Sequence, residues 1–210
     1  MPKMALCIRR DHAPVAFNVP LLGLRAIEHT LGFWHTPTEM ADRATCETDE
    51  SLLQIIPYVV VGDWAPHGGD GMRVFTYNRG GAGEEARLHG ALSVGLGGHV
   101  DAPPPEGEGL RNWLAQEACR ELKEEVGIDA APTEIIFANA VLCDPSPGVG
   151  RVHIGVLCAI RASAARMGAA EAGVIESGQW LTLAELTRAD NFNRLEGWSK
   201  AAVQYMGRQL

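Results

Sequence analysis

Residues 120–128 read Arg-Glu-Leu-Lys-Glu-Glu-Val-Gly-Ile, and this stretch decides how the rest of the chain is interpreted. Between residues 113 and 126, apolar side chains recur at spacings of three and four, which predicts an amphipathic helix. Asn112 is a suitable N-cap before that helix, and Gly127 is a suitable left-handed residue after it. The sequence therefore predicts a helix over residues 113–126 that buries one face.

The polar side of this helix is dense in carboxylates. Four of them fall on one arc beside the apolar arc: Glu117, Glu121, Glu124 and Glu125. Arg120 and Lys123 are expected to point mostly to other sides of the helix. Like charges at this spacing destabilise an isolated helix by roughly 0.2 to 0.5 kcal/mol per pair. A solvated acidic surface and a cation site are both compatible with the pattern.

A glycine pair upstream favours the cation site. Gly97-Gly98 follows the short apolar stretch 91–96, and glycines there allow the backbone to approach a ligand closely. Mg²⁺ takes oxygen ligands and usually binds through one or two carboxylates plus substrate phosphates. The helix and the glycine turn together therefore predict a site for a divalent cation and a phosphate group.

Outward from this helix, apolar and β-branched runs alternate with turn-rich connections. Strands are predicted at residues 4–8, 55–61, 72–79, 91–96, 134–143 and 151–160. Thr182 and Glu185 have the spacing of a capping box that begins a short helix, and a last helix is predicted over about residues 194–206. This order of elements predicts an α+β fold, arranged as an α/β/α sandwich.

The remaining segments define the organisation of the chain. Residues 1–50 show no sustained hydrophobic period after the first strand, and we expect an extension that packs on a domain formed by residues 51–210. Residues 101–110 contain three prolines and two glycines, which disfavour both a helix and a central strand. That segment is predicted to be a mobile, solvent-facing loop.

Composition restricts the classes of function. The 210 residues carry 18 Lys and Arg against 26 Asp and Glu, a net charge of −8 that disfavours a nucleic acid polymer as partner. A small anion remains compatible if a metal ion or a local basic pocket reverses the local field. The five scattered cysteines predict free, mostly buried thiols. The chain contains neither a signal-peptide core nor a membrane span, so a cytoplasmic enzyme or binding domain is expected.

The residues around the helix resemble the Nudix box, whose pattern is G-x5-E-x7-R-E-U-x-E-E-x-G-U with U aliphatic. Residues 97–100, Gly-Gly-His-Val, resemble its start, and residues 120–128 match every fixed position of its second half. The resemblance extends over roughly residues 50–207. It implies a Nudix-like α/β/α sandwich with a mixed sheet and a catalytic helix.

The resemblance also implies roles for individual residues around Mg²⁺ or Mn²⁺. Arg120 would orient a glutamate through charge-assisted hydrogen bonds. For the late carboxylate Glu196, favourable interaction with a helix N-terminus is the structural alternative to metal binding. The implied metal ligands are the carbonyl of Gly97 and the carboxylates of Glu121, Glu124, Glu125 and Glu196.

Several side chains near the predicted site are candidates for substrate binding. Tyr77, Arg79, Arg87 and His89 flank the strand pair that should face the site, where they would hold phosphates or stack on a base. His99 directly follows the glycine pair and would hydrogen-bond a phosphate oxygen. Ordinary surface or structural roles are the alternative for all of them.

Two departures from the Nudix pattern stand out. Gly98 and Arg120 are 22 positions apart where the pattern has 14, which indicates an insertion of 8 residues. A similar long loop occurs in a subgroup of bacterial Nudix proteins described as predicted phosphoesterases. The first glutamate of the pattern is replaced by Asn112, so Glu106, Glu108 or Glu117 compensates, or the function of that position is lost.

The function implied by the resemblance is metal-dependent hydrolysis of a diphosphate linkage in a nucleoside diphosphate derivative. Water would attack phosphorus while a carboxylate accepts the proton. The alternatives are a nucleotide-sensing Nudix domain without turnover and an enzyme similar to isopentenyl-diphosphate isomerases, which use a cysteine that the predicted loop lacks. The expected partner is a small phosphorylated molecule of the nucleotide class, and a homodimer is compatible with the sequence.

Overall fold

A computed structural model describes residues 2–13, 25–28, 31–64, 71–81, 88–144, 149–169 and 171–209. Within these residues the chain forms ten strands and five helices. The strands are β1 (Met4–Arg9), β2 (Arg25–Glu28), β3 (Thr38–Asp42), β4 (Leu52–Asp63), β5 (Arg73–Arg79), β6 (Leu92–Ser93), β7 (Gly95–Leu96), β8 (Ile136–Cys143), β9 (His153–Arg161) and β10 (Ile175–Thr182). The helices are α1 (Arg43–Cys46), α2 (Leu110–Val126), α3 (Leu183–Leu186), α4 (Ala189–Arg194) and α5 (Gly197–Gln209). None of these helices combines the length and the apolar character that a membrane span requires.

All ten strands join one mixed sheet, which confirms the predicted α+β class. The main path runs β10-β5-β4-β9-β8-β2, and β1, β3, β6 and β7 attach beside it. β4 and β9 are parallel, whereas the other paired strands are antiparallel. The long apolar run in β4 is buried almost throughout, as expected for a strand that is covered on both faces.

Helices cover both faces of β4. Because successive side chains of a strand point to opposite faces, Val59 and Val61 pack in the cluster that contains the apolar residues of α2. Tyr58 and Val60 pack in the cluster that contains the apolar residues of α5. The predicted α/β/α sandwich is therefore confirmed, with α2 and α5 on opposite faces of the sheet.

One edge of β4 contains a gap between two pairings. β1 pairs with residues 52–54 of β4, and β7 pairs with Val59 and Val60. Pro57, which has no N–H to donate, lies between these pairings. The turn at Gly97 approaches the Pro57 carbonyl so closely that a Cβ at Gly97 would lie 1.9 Å from that oxygen. The turn at Gly97-Gly98, which was predicted to lie near the site, therefore packs in this gap.

The catalytic-helix candidate α2 begins earlier than predicted. Its N-cap is Gly109, and Asn112 lies within its first turn. The earlier start is favourable because Leu110 is then buried in the same cluster as Leu114. The predicted C-terminus is confirmed: Gly127 has φ 64, and the N–H of Ile128 donates to the Leu122 carbonyl.

The C-terminal region also differs from its predicted boundaries. The Thr182 capping box is confirmed, but the residues before it form strand β10. The helix predicted from 194 to 206 is interrupted, because Leu195 forms a bridge with Leu92 and the Glu196 N–H donates to the Leu92 carbonyl. That bridge requires extended backbone, so α4 ends before it and α5 begins after it.

The first 50 residues contribute strands to the common sheet. The predicted strand at residues 4–8 is confirmed as β1, which pairs with both β3 and β4. The sequence did not predict β2, β3 or α1. A domain boundary at residue 50 stays a prediction. Four of the five cysteines are buried, and the sulfurs of Cys7 and Cys46 are 3.4 Å apart.

Candidate active site

The four glutamates of α2 converge as their spacing predicts, and we call them the acid face: Glu117, Glu121, Glu124 and Glu125. Glu117, Glu121 and Glu125 are buried, with exposures of 9%, 8% and 8%. The side chain of Glu124 is 56% exposed. Three carboxylates withdrawn from water on one helix face are not a solvated acidic surface, and their burial must be compensated by pairing or protonation.

Arg120 does not point away from the acid face, and the expectation that it would is wrong. Its guanidinium lies 2.6 Å from Glu121 Oε1, 2.8 Å from Glu124 Oε2 and 3.0 Å from Glu117 Oε2. Attraction by three carboxylates outweighs the direction set by helical spacing. The same guanidinium donates to the carbonyl of His99 at 3.0 Å, so Arg120 joins the acid face to the glycine turn.

Burial changes the protonation of the two inner carboxylates. It raises the pKa of Glu121 to about 7, against a lowering by Arg120, and the charges of Glu124 and Glu117 raise that pKa further. Burial and the neighbouring charge of Glu121 raise the pKa of Glu125 to about 8. At neutral pH the pair therefore retains protons that a divalent cation would displace. Buried oxygen donors of this kind fit Mg²⁺ or Mn²⁺.

The glycine turn requires both of its glycines. Gly97 has φ +147, and its N–H donates to Glu125 Oε2 at 2.9 Å. A Cβ at Gly98 would lie 2.6 Å from Glu121 Oε1. Any side chain at Gly98 would therefore push the carboxylate out of its place. The Gly97 carbonyl as a metal ligand stays a prediction.

A cavity of about 390 Å³ brings most of the predicted site residues together. Gly97, His99, Arg79 and Arg120 line it, as do Glu121, Glu124, Glu125 and Glu196. Lys3 and Arg43 also line it, although sequence reasoning missed them. They come from the first 50 residues, where no motif marks them, and Arg43 N–H donates to the Lys3 carbonyl. Four basic side chains therefore face the cavity of an acidic protein.

Other predicted substrate-binding residues lie elsewhere. Tyr77 is 1% exposed, its ring stacks on Phe75, and its hydroxyl donates to the Gly95 carbonyl. It is a core residue beneath the site and is not part of the cavity lining, because its ring packs on Phe75 and its hydroxyl is bonded to the Gly95 carbonyl. His89 is exposed and does not line the cavity. Arg87 lies outside the described residues.

Glu196 caps α5. Its Oε1 accepts from the Tyr58 hydroxyl at 2.6 Å, and from the Ser199 N–H and hydroxyl at 2.8 and 2.6 Å. Its Oε2 accepts from the Trp198 N–H at 2.7 Å. These bonds satisfy the orphan N–H groups at the start of the helix. The structural role named as the alternative is therefore present, and metal binding by Glu196 stays a prediction.

His99 has a neighbour that the sequence did not indicate. Its Nε2 lies 3.1 Å from Nε2 of His153, which in turn lies 3.6 Å from Oε1 of Glu47. We call these three residues the histidine cluster. Because positions 47, 99 and 153 are far apart in the chain, no local spacing signals the cluster. Hydrogen bonding of His99 to a phosphate stays a prediction.

The loop before α2 is anchored to the first turns of the helix. The Asn112 side chain donates to Glu108, and Gln116 Nε2 donates to the same carboxylate at 2.8 Å. Trp113 Nε1 donates to the Ala102 carbonyl at 3.1 Å. Of the three carboxylates considered as substitutes for the missing glutamate, Glu108 contacts Asn112 itself and Glu117 contacts Arg120. The loop is largely exposed, as predicted.

Comparison with known proteins extends these observations. No family model matches the chain. Protein YmaB of Bacillus subtilis (strain 168) is 34% identical over 167 residues, which cover 78% of this chain and 76% of YmaB. The crystal structure of Tm1382, described as a candidate Nudix hydrolase, covers 99% of this chain and 100% of its own with 24% identity and a TM-score of 0.71.

A more distant structure shares the fold. The NUDIX domain of Shewanella oneidensis NrtR, solved with ADP ribose, is 15% identical, with a TM-score of 0.50 over 75% of this chain and 87% of that one. The level and extent of identity to YmaB show a common family, and the fold shared with Tm1382 agrees with the motif on α2. We conclude that the chain belongs to one family with Protein YmaB and has the fold of the solved Nudix structures.

Proposed function

We propose that this protein is a metal-dependent hydrolase that cleaves a diphosphate linkage in a nucleoside diphosphate derivative by attack of water on phosphorus. The observation that supports the proposal is that carboxylates and basic residues line the same cavity. Buried carboxylates of α2 would supply a cation site, and basic residues line the same cavity. A diphosphate bound to a divalent cation has the complementary charge for both.

The cation would be Mg²⁺ or Mn²⁺, held by Glu121, Glu124 and Glu125. The Gly97 carbonyl and Glu196 are proposed as further ligands. When bound, such an ion polarises phosphoryl oxygens and lowers the pKa of water. The donor set fits, because every one of these groups offers oxygen. The raised pKa values of Glu121 and Glu125 also fit, since a cation would remove the charge repulsion that causes part of them.

The side chains of the protein perform the remaining tasks. Arg120 holds Glu121 and Glu124 in place through charge-assisted hydrogen bonds. Arg79, Lys3 and Arg43 line the cavity and would bind phosphate oxygens there. A carboxylate of the acid face would accept the proton of the attacking water.

The proposed substrate is a small phosphorylated molecule of the nucleotide class. A volume of about 390 Å³ lies in the range of small-molecule sites. The NUDIX domain of NrtR binds ADP ribose, which makes that compound a reasonable member of a substrate panel. None of the cysteines lines the cavity in the described part of the chain, so the isomerase alternative has no support from the site.

The decisive experiment is a product analysis. The protein is incubated with Mg²⁺ or Mn²⁺ and nucleoside triphosphates, ADP-ribose, NADH, dinucleoside polyphosphates or coenzyme A, and products are separated by chromatography. We expect hydrolysis of at least one compound, abolished by EDTA and restored by excess Mg²⁺. Glu176→Gln, an exposed carboxylate outside the cavity, serves as the matched control for variants of the acid face.

A second function has one observation in its favour. Asn112 replaces the first glutamate of the pattern, which is compatible with a nucleotide-sensing domain that has lost turnover. The retained carboxylates argue against it, because a sensor does not need a proton acceptor. Binding of a nucleotide in calorimetry, without product formation under any metal condition, would favour the sensor.

A further inference from the structure

We propose that the histidine cluster is a second metal site, which binds a divalent transition-metal ion and is best matched by Zn²⁺. It is distinct from the acid face and does not depend on the proposed hydrolysis. Its residues come from three separate parts of the fold. Glu47 follows α1, His99 follows the glycine turn, and His153 begins β9.

The spacing of the ligand atoms is the first support. The two Nε2 atoms are 3.1 Å apart, and His153 Nε2 is 3.6 Å from Glu47 Oε1. All three ligand atoms lie within 4.8 Å of one another. With metal–ligand distances of about 2.0 to 2.1 Å, neighbouring ligands of a tetrahedral ion are about 3.4 Å apart. The separations of 3.1 and 3.6 Å are therefore close to those that one bound ion requires.

Hydrogen bonding explains the cluster less completely than a cation does. The same Nε2 atom of His153 faces both His99 and Glu47, and a neutral imidazole nitrogen carries at most one proton. At 3.6 Å the carboxylate lies beyond normal hydrogen-bond distance. Two imidazoles and one carboxylate are also a donor set that holds zinc with an open position. Three lone-pair donors around one point therefore favour a metal ion.

A buried residue supports the carboxylate. Gln54 is 0% exposed, and its Nε2 donates to Glu47 Oε1 at 3.0 Å. Gln54 Oε1 has no hydrogen-bond partner among the described residues. In the parallel register of β4 and β9, Gln54 is opposite His153. The two strands thus place the ligand His153 beside Gln54, which orients the ligand Glu47. Such supporting hydrogen bonds are typical of metal sites.

The two sites should select different metals. Imidazole ligands suit Zn²⁺, whereas carboxylates suit Mg²⁺ and Mn²⁺. His99 and His153 line the same cavity as the acid face. Since Arg120 binds both the His99 carbonyl and Glu121, an ion on the histidine cluster would hold the turn against which the acid face packs. Its role would be to position that turn.

The test is a binding measurement that needs no substrate. Protein stripped of metal with a chelator is titrated with Zn²⁺, and separately with Co²⁺, in excess Mg²⁺ so that the acid face is occupied. We expect one equivalent of Zn²⁺ to bind, and Co²⁺ to give the visible absorption of a tetrahedral site. His99→Gln and Glu47→Gln should each weaken Zn²⁺ binding by about tenfold to 100-fold, as should His153→Gln.

Two controls make the result specific. His35→Gln, an exposed histidine outside the cluster, should leave Zn²⁺ affinity unchanged, and Glu121→Gln should retain the single equivalent. Because His153 is buried, folding of each variant is checked by circular dichroism, and the partly exposed His99 and Glu47 decide the test if His153→Gln does not fold. Absence of stoichiometric Zn²⁺ binding would overturn the proposal. Loss of binding only in Glu121→Gln, or unchanged affinity in both His99→Gln and Glu47→Gln, would also overturn it.

Discussion

The acid face and the histidine cluster meet at one turn, yet the chain encodes them differently. The carboxylates of the acid face lie on one helix within nine residues, from Glu117 to Glu125. The histidine cluster joins residues 47, 99 and 153, which only the sheet brings together. A helix converts spacing directly into proximity, whereas contacts between strands depend on register and connection. Local chemistry can therefore be read from a sequence where a helix carries it.

The difference extends to the type of charge. On the acid face, three of the four carboxylates share one arginine, while the histidine cluster sets two imidazoles beside one carboxylate. The first arrangement has more carboxylates than its one arginine can neutralise, whereas the second has one carboxylate beside two imidazoles. Substitutions should consequently have larger effects on turnover at the acid face than elsewhere in the cavity.

The largest effect is expected for Glu125→Gln. The amide would still accept from the Gly97 N–H but could not carry the charge that a divalent cation needs. We expect kcat to fall by roughly 100-fold or more, while the stability of the metal-free protein stays unchanged or rises because charge repulsion is relieved. Steady-state kinetics and thermal melts of the variant and of Glu176→Gln measure both. Near-normal kcat in Glu125→Gln and Glu124→Gln together would remove the acid face from the mechanism.

Arg120→Lys tests the residue that connects the two regions. Lysine keeps the charge but cannot bind Glu117, Glu121, Glu124 and the His99 carbonyl at once, because it lacks the planar fork of arginine. We expect kcat to fall by about tenfold to 100-fold, since loss of positioning affects the reacting geometry. Lys123→Arg, on an exposed part of the same helix, is the control. Equal kinetics in the two variants would show that charge alone suffices.

The helix and its chemistry were largely predictable, and the reasons are local. Apolar spacing, the left-handed Gly127 and the carboxylate arc all follow from residues within one turn of each other. The errors arose where tertiary contacts compete with local rules. Because Leu110 is buried, α2 begins before Asn112 and not after it. Because three carboxylates attract Arg120, its side chain lies over the acid face.

The rest of the site depends on sheet geometry that spacing does not reveal. Tyr77 was predicted to bind substrate, but the packing of its ring on Phe75 holds it in the core. Lys3 and Arg43 reach the cavity because β1 and β3 pair at the edge of β4. His153 begins an apolar strand and carries no sign of a ligand until the parallel pairing with β4 places it opposite Gln54.

The stability of the metal-free protein should depend on pH through the two buried carboxylates of the acid face. The pKa of Glu121 is raised to about 7 and that of Glu125 to about 8, so the folded protein binds more protons than the unfolded chain above about pH 4.5. The free energy of unfolding contributed by these groups therefore falls as pH rises towards about 8. Melting temperatures of metal-free protein should decrease across this range. Glu125→Gln should flatten the decrease, and an unchanged slope would contradict the buried charge.

Glu196→Gln tests a carboxylate that caps a helix, for comparison with the carboxylates of the acid face. Loss of charge-assisted bonds from Tyr58, Trp198 and Ser199 should destabilise the protein by about 1 to 3 kcal/mol, which is a fall of a few °C in Tm. Asp190→Asn, an exposed carboxylate in the first turn of α4, should have a smaller effect. A tenfold loss of Mn²⁺ affinity with unchanged Tm would instead support the metal role predicted for Glu196.

The smallest effect is expected from shortening the loop before α2. Ala102 and Glu108 are both anchored to the start of the helix, through Trp113 and Gln116, so deletion of residues 103–107 removes only the exposed segment between two fixed points. None of the deleted residues lines the cavity. We expect the melting temperature to stay within a few °C and KM across the substrate panel to stay within about threefold, because loop length contributes little closure entropy.

A larger change in KM at unchanged folding would show that the loop gates the cavity. Glu108→Gln in the intact loop separates the two explanations, since it weakens the anchor without changing the length.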